Sequence, residues 1–486
     1  MRSSRREGRV LHPLELPSRM APTDALFWYA ESVLPEFRPI IAGLYVLDRA
    51  PDPHGVEAAT EAALSLVPRL RQRVVEAPLQ LGLPQWLEDE HFDRAYHLRH
   101  VSLPAPGTQR QLLDLVAALF ATPLDRQRPL WESYWIDGLE GGRSAYLFKT
   151  HHSVVDGVGS VAILDALTAR DPSDPPPHVV MARRRRASAL ISLGPRLREL
   201  AQEQAANSVR IAQRVLEAPL AAFAYPRESA EGAIRTVRGL AGMLTDAARA
   251  PLRDPLAVQG SGLSRRLDIA EIPLERLRKI KATLGVSMND VVLAALAGAL
   301  RAYHRERRVH ARELVCMVPM NLRGRDEHHS LGNRVGMFNI SLPVGEPRVE
   351  RRLARIVEQT RAAKTDRRGA AAPFLVEALT LLPGAALRWV ARRAIGRVNV
   401  ACTNVPGVRE PRFMAGARVD AIYPFASVVE GTPLVMALLS YAGRMQIGVD
   451  TDPEAIPDPH RITALFEEAL KELDLLTAGR EPASDG

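Results

Sequence analysis

The spacing of apolar and polar positions changes several times along the chain, and each change marks an element. Between residues 21 and 170, helix-like and strand-like stretches alternate. "PTDALFWYAE" places Thr23 and Asp24 as helix-start residues ahead of apolar positions. "IAGLYVLD" (41–48) reads as a strand, and "VEAATEAALSLVPRLRQRV" (56–74) as one helix with an apolar face. "QLLDLVAALFATPL" predicts another helix. "WESYWIDGL" and "SAYLFKTHHSV" predict two strands, and "SVAILDALTA" a short helix that stops at "DPSDPPP".

That proline-rich stretch and the run Arg183–Arg186 mark a boundary. From 187 to about 250 the pattern is helical and Ala-rich, with Leu193, Leu197 and Leu200 on one stripe. From 263 the alternation resumes. "SRRLDIAEIPLERLRKIKATLG" predicts a strand then a helix, and "SMNDVVLAALAGALRAYH" a helix capped by Ser287 or Asn289. "ELVCMVPMNLR", "GNRVGMFNISLPV", "RVNVACTNVPG" and "LVMALLSYAGRMQIGVD" read as strands. The organisation is a basic disordered tail (1–19), an α/β domain (20–175), a helical linker (176–262), a second α/β domain (263–478) and a short tail (479–486).

Composition narrows the picture only a little. A length of 486 residues favours more than one core, and 46% hydrophobic with 25% charged residues is ordinary for a globular protein. The net charge of +8 is a mild excess on so long a chain; it suits an anionic surface but reads first as solvated arginines. Cys316 and Cys402, far apart in apolar stretches, predict core thiols rather than a disulfide framework or a zinc site. The longest apolar run, "VVLAALAGAL", falls well short of the roughly 20 residues that span a bilayer, so any membrane contact is expected to be peripheral.

The densest chemistry lies in "FKTHHSVVDGVGS" (148–160). Adjacent histidines on a strand point to opposite faces, so one metal does not easily take both, and His152 with Asp156 supplies only two ligands. "GVGSVA" matches a dinucleotide-loop pattern, yet no second parallel strand ending in an acidic residue follows it. A neutral imidazole at a strand-to-turn junction suits a general base for ester or amide formation, with Gly157 and Gly159 admitting substrate close to the backbone. A buried structural histidine pair is the plain alternative. The residues alone leave these readings open.

"HHSVVDG" fits the HHxxxDG signature of the CoA-dependent acyltransferase superfamily, and its surroundings resemble one branch of it. "MAPTDALFWYAES", "RPLWESYWIDGL", "VSMNDVVLAALAGALR", "VPMNLRGRDEHHSLGNRVGMFNISLPV", "TNVPGV" and "SYAGRMQIGVDTDPEAIPD" occur in the order found in the bacterial wax ester synthase/diacylglycerol acyltransferase family. The resemblance runs from about residue 20 to 475. It implies two chloramphenicol-acetyltransferase-like α/β domains with mixed sheets and an active site at their interface. It makes His152 the general base and turns His151 to the other face. Asp156 then holds the site's architecture by pairing with an arginine, Arg323 being the candidate, and Gly157 lets the acceptor approach. Asn289 becomes a polar contact or oxyanion donor, with helix capping as its alternative. Pro129 and Trp131 shape an acyl channel or the core. His328 and His329 lack the rest of the motif and read as loop residues.

The reaction implied is transfer of a long acyl chain from acyl-CoA to diacylglycerol or a fatty alcohol, with acyl-CoA as co-substrate and neither cofactor nor metal. No nucleic-acid partner is implied. Two rivals keep some of the features: a condensation-type transferase using carrier-bound donors, and a non-catalytic lipid-surface protein. The expected location is the cytoplasm, at the inner membrane or lipid inclusions.

Overall fold

A computed structural model describes residues 10–11, 13–14, 16–32, 37–76, 83–154, 157–174, 178–179, 254, 256, 263–321, 335–365, 398–427 and 432–478. Nearly all of the linker, including Arg183–Arg186 and the Leu193 stripe, lies outside these residues. So do Asp156, Arg323, His328 and His329.

Within the stretch expected to be a disordered tail, Val10–Leu11 pair in parallel with His178–Val179 and the Leu14 N–H donates to the Leu66 carbonyl at 2.8 Å; helix α1 (Pro22–Glu31) follows. Its first turn opens at Pro22, one residue ahead of the expected Thr23, because a proline at that position loses no helical hydrogen bond. Strand β1 (Ile40–Leu47) leads to α2 (Pro53–Leu66), which Asp52 caps by accepting from the Gly55 N–H. The single helix expected over 56–74 is in fact three elements. Pro68 cannot continue α2, so the chain makes a 3₁₀ turn (Pro68–Arg71) and then a strand, β2 (Gln72–Val75). Next come β3 (Gln85–Glu88), β4 (Leu98–Ser102), α3 (Gln109–Ala121, with a Thr108–Gln111 capping box), β5 (Trp131–Asp137) and β6 (Ser144–His151). Helix α4 (Gly157–Leu167) starts at the first glycine of the motif, not after Gly159.

The second half runs β7 (Arg266–Pro273), α5 (Leu274–Leu284), α6 (Met288–Glu306), β8 (Leu314–Asn321), β9 (Val335–Leu342), α7 (Val349–Thr365) and β10 (Val400–Val405). It ends with β11 (Arg412–Met414), β12 (Ala417–Ala426), β13 (Leu434–Tyr441), β14 (Arg444–Thr451) and α8 (Pro459–Thr477). Two six-stranded mixed sheets result, ordered β11-β12-β1-β6-β5-β4 and β9-β8-β10-β13-β14-β7. Each has its own buried cluster. α6 is the central helix of the second, buried throughout Asp290–Leu300. Its apolarity serves the core, and no single helix among the described residues is long and apolar enough to cross a membrane. Cys316 and Cys402 are free, buried in this core, and burial raises both thiols, Cys402 to about 12.

The two halves do not divide at one point in the chain. β11 and β12, from the second half of the sequence, complete the first sheet, with β12 antiparallel to β1 from Val419↔Leu47 to Ala426↔Ile41. This crossing strand also meets the second sheet. A Cβ on Gly448 of β14 would sit 1.9 Å from the Pro424 carbonyl oxygen of β12, so only glycine fits where the backbones meet. Tyr423 on β12 donates to Glu271 on β7 at 2.5 Å. The Tyr441 hydroxyl accepts from the Arg412 N–H and donates to the Val419 carbonyl, both at 2.8 Å. Arg412, buried, pairs with Asp165 of α4 at 2.8 Å and so ties the helix after the motif to the crossing hairpin. Leaving such a buried guanidinium unpaired costs roughly 3–5 kcal/mol.

Candidate active site

All eight residues of β6 are buried, because the strand lies between β1 and β5 and is covered on both faces. A strand sealed in this way must satisfy its polar side chains internally. Lys149 does so by donating to the Leu119 and Thr122 carbonyls (2.8 and 2.6 Å) and lying 3.5 Å from Glu132. It thereby caps the C-terminal end of α3 with a cation. Burial pulls its ammonium down to about 8 against the opposing pull of Glu132. Glu132, the last residue of the Pro-Leu-Trp-Glu element, also accepts from Tyr134 at 2.7 Å. Its role is structural.

The strand ends at His151, and His152 stands in the turn that follows. His151 is 1% exposed. Its Nδ1 accepts from the Ser153 N–H at 3.1 Å and lies 2.7 Å from the Ser153 hydroxyl. A backbone donor at Nδ1 leaves the ring proton on Nε2, which faces Glu31 at 3.7 Å. Burial, then the charges of His152 and Arg126, push His151 down to about 3, so it is neutral. His152 is half-buried. Its backbone N–H donates to the Pro39 carbonyl at 2.7 Å, and its ring packs against Phe27 with centroids 4.7 Å apart and the planes tilted by 34°. Just beyond, the buried Arg69 reaches the carbonyls of Ser153 and Val154 at 3.5 and 3.4 Å. Gly157 then opens α4.

Helix α1 lies against this pair. Glu31 faces His151 and pairs with Arg126 at 3.3 Å, while the Arg126 guanidinium lies 3.5 Å over the Trp28 ring. Burial raises the Glu31 carboxyl, against the pull of Arg126 and Arg38. None of Phe27, Glu31, Arg69 and Arg126 is singled out by the sequence reading. The available signal was the i, i+4 spacing of Phe27 and Glu31, which puts both on one helical face.

The alternatives left open for Asn289, Trp131 and Pro129 narrow in the structure. Asn289 is not the helix cap: Ser287 is, in a capping box with Asp290. The Asn289 Oδ1 instead accepts from Asn404 of the Thr-Asn-Val-Pro-Gly element at 2.9 Å. Asp290 carries the structural role of the Asn-Asp pair, accepting from Thr360 on α7 at 2.6 Å. Trp131 packs in the core: it is 1% exposed, donates to the Leu70 carbonyl at 2.8 Å, and stacks with both His97 and Phe148. Pro129 is buried too, and its carbonyl accepts from the Trp131 N–H.

Residues 20–292 match the wax ester synthase/diacylglycerol acyltransferase catalytic domain, and residues 331–474 match the C-terminal domain of the same family. The chain belongs to this family. It is 33% identical over 480 residues to a putative diacylglycerol O-acyltransferase of Mycobacterium tuberculosis, covering 94% of this chain and 99% of that protein. A probable diacylglycerol O-acyltransferase of the same organism is 29% identical, with 94% and 98% covered. Among solved structures, the wax ester synthase/diacylglycerol acyltransferase from Marinobacter aquaeolei VT8 superposes with a TM-score of 0.62 at 25% identity, over 94% of this chain and 99% of that one. The first condensation domain of the calcium-dependent antibiotic synthetase shares the fold, with a TM-score of 0.57 at 18% identity over 97% of this chain and 98% of that one. The acyltransferase family and its two-domain mixed-sheet fold thus agree with the motifs read from the sequence.

Neutral, buried His151 makes a pH prediction. Its folded-state affinity for a proton lies below the ordinary histidine value near 6.5, so protonation favours the unfolded chain as pH falls from about 6.5 toward 3. This one group should lower stability by about 1.4 kcal/mol per pH unit inside that window and contribute no slope above it. Denaturant unfolding of wild-type and His151→Gln protein between pH 7 and pH 4.5 should show a steeper acid loss in the wild type. Equal slopes would contradict a sealed neutral imidazole.

Proposed function

We propose that this chain is an acyl-CoA-dependent O-acyltransferase that moves a long acyl chain onto a lipid alcohol, diacylglycerol giving triacylglycerol and a fatty alcohol giving a wax ester. The observation that carries the reading is the asymmetry of the histidine pair: one imidazole is sealed and neutral, and its neighbour is half-buried at a fixed turn. In this mechanism His152 takes the hydroxyl proton as the alcohol oxygen attacks the thioester carbonyl. The tetrahedral intermediate collapses, the carbon–sulfur bond breaks, and the imidazolium returns its proton to the leaving CoA thiolate. The donor is already activated, so no covalent acyl-enzyme is required. With Oδ1 of Asn289 committed to Asn404, its Nδ2 is the end of the amide left to donate to an oxyanion.

The direct test is purified enzyme with labelled palmitoyl-CoA and a panel of diacylglycerols and fatty alcohols, products separated by chromatography. His152→Ala should lower turnover by roughly 10²–10⁴-fold in folded protein, the usual loss for a missing general base. His151→Ala should act mainly on stability. Transfer from a carrier-bound thioester but not from free acyl-CoA would favour the condensation-type reading, and full turnover by His152→Ala would remove the assignment of the base.

Lipid substrates call for work at a surface, and we place the enzyme at an anionic membrane or lipid inclusion in the cytoplasm, held through the basic run Arg183–Arg186. Each such residue contributes roughly 1 kcal/mol near an anionic leaflet. Binding to vesicles containing anionic lipid should weaken as salt rises and weaken again when all four arginines are neutralised, while turnover of a soluble short-chain alcohol stays unchanged. Binding indifferent to both changes would defeat the electrostatic account.

A further inference from the structure

The apparatus around His152 includes a residue that no acid–base scheme requires. Phe27 and Glu31 sit one turn apart on α1, and each meets one histidine of the pair. Phe27 lies on His152 at 4.7 Å between centroids with the planes tilted by 34°, and Glu31 faces His151. Phe27 is itself backed by the buried Phe37, stacked at 6.1 Å and 20°. Trp28, between them in sequence, meets His151 edge-on at 6.2 Å. One helical face thus covers both imidazoles.

Resting on the reading of His152 as the base, we propose that Phe27 is a positioning residue that holds the His152 ring and stabilises it once it has taken the acceptor's proton. Two physical effects follow from this tilted contact. The backbone of His152 is pinned through Pro39, so the remaining freedom is in the side chain, and a ring packed 4.7 Å away restricts its rotation. The π face of Phe27 is also electron-rich, and it attracts a cation more than a neutral ring. The imidazolium exists only after proton transfer, so this attraction acts on the transition state more than on the resting enzyme.

The titratable and charged groups gathered here are Glu31 on α1, His151 on β6, Arg126 on the α3–β5 connection, Arg38 ahead of β1 and Arg69 in the 3₁₀ turn, on the carbonyls of Ser153 and Val154. Glu31 is already paired with Arg126, and His151 is held neutral. The aromatic contribution is independent of both.

The test compares Phe27→Leu, which keeps apolar bulk and removes the π face, with Phe27→Tyr, which keeps the ring; Phe27→Met replaces the leucine variant should that not purify folded. Turnover from palmitoyl-CoA is measured against pH, and the His152 ring is titrated by NMR of ¹³Cε1-labelled histidine, its signal assigned by its loss in His152→Ala. Phe27→Leu should lower kcat about two- to tenfold with KM nearly unchanged, and lower the His152 titration midpoint by about half a unit to one unit. Phe27→Tyr should restore both. Wild-type kcat and midpoint in Phe27→Leu would overturn the proposal. So would a raised KM at unchanged kcat, which marks a wall of the substrate channel. Full turnover by His152→Ala would instead sink the assignment of the base, while the NMR midpoint would still report on the stacking.

Discussion

The site depends on a chain reversal held rigid at the end of a fully buried strand. β6 cannot expose its charged and titratable ends to water, so Lys149 donates to the carbonyls ending α3 and His151 accepts from Ser153, while in the turn that follows Arg69 reaches the carbonyls of Ser153 and Val154. The Pro39 carbonyl takes the His152 N–H. His152, in the turn itself, is half-buried, with its Nδ1 turned inward. The two imidazoles thus meet different environments, and a neutral, desolvated His151 adds no positive charge beside its neighbour.

The wider fold supports that turn from both halves of the sequence. β1 and β5 flank β6, and β12 crosses from the second half to pair with β1. Where β12 ends, the Ser427 N–H and hydroxyl both reach the carbonyl of Ile40, opposite His151 in the sheet register. The same strand presses Pro424 on Gly448 of the second sheet and sends Tyr423 to Glu271. Any shift between the sheets would therefore be felt through β12 and β1 at the histidine turn. The Arg412–Asp165 pair extends the tie to α4, which begins at the motif's Gly157.

Much of this is legible in the sequence where the signal is local. The Ser287–Asp290 spacing identifies a helix start, and the alternation in β13 and β14 predicts strands. The histidine pair itself stands out as the densest chemistry in the chain. Features set by distant partners are not legible. The pattern of "ARVDAIYPFA" gives no hint that it completes a sheet formed some 370 residues earlier. Trp131 looks equally apolar in a channel or a core, and only the Leu70 carbonyl and the stacked His97 decide it. Pro68 was visible, but the apolar face around it suggested a helix that a proline cannot sustain. Phe27 and Glu31 share a face on α1, yet what that face meets is a tertiary fact.

The central claim is that the imidazole of His152, held by its turn, supplies the base. Chemical rescue tests it most directly: His152→Gly opens a space of imidazole size at a backbone that remains fixed through Pro39 and Arg69. Added imidazoles should restore acyl transfer from palmitoyl-CoA, and the restored rate should rise with the basicity of the imidazole among those of similar size. No rescue in a folded His152→Gly protein, or rescue independent of basicity, would contradict the account.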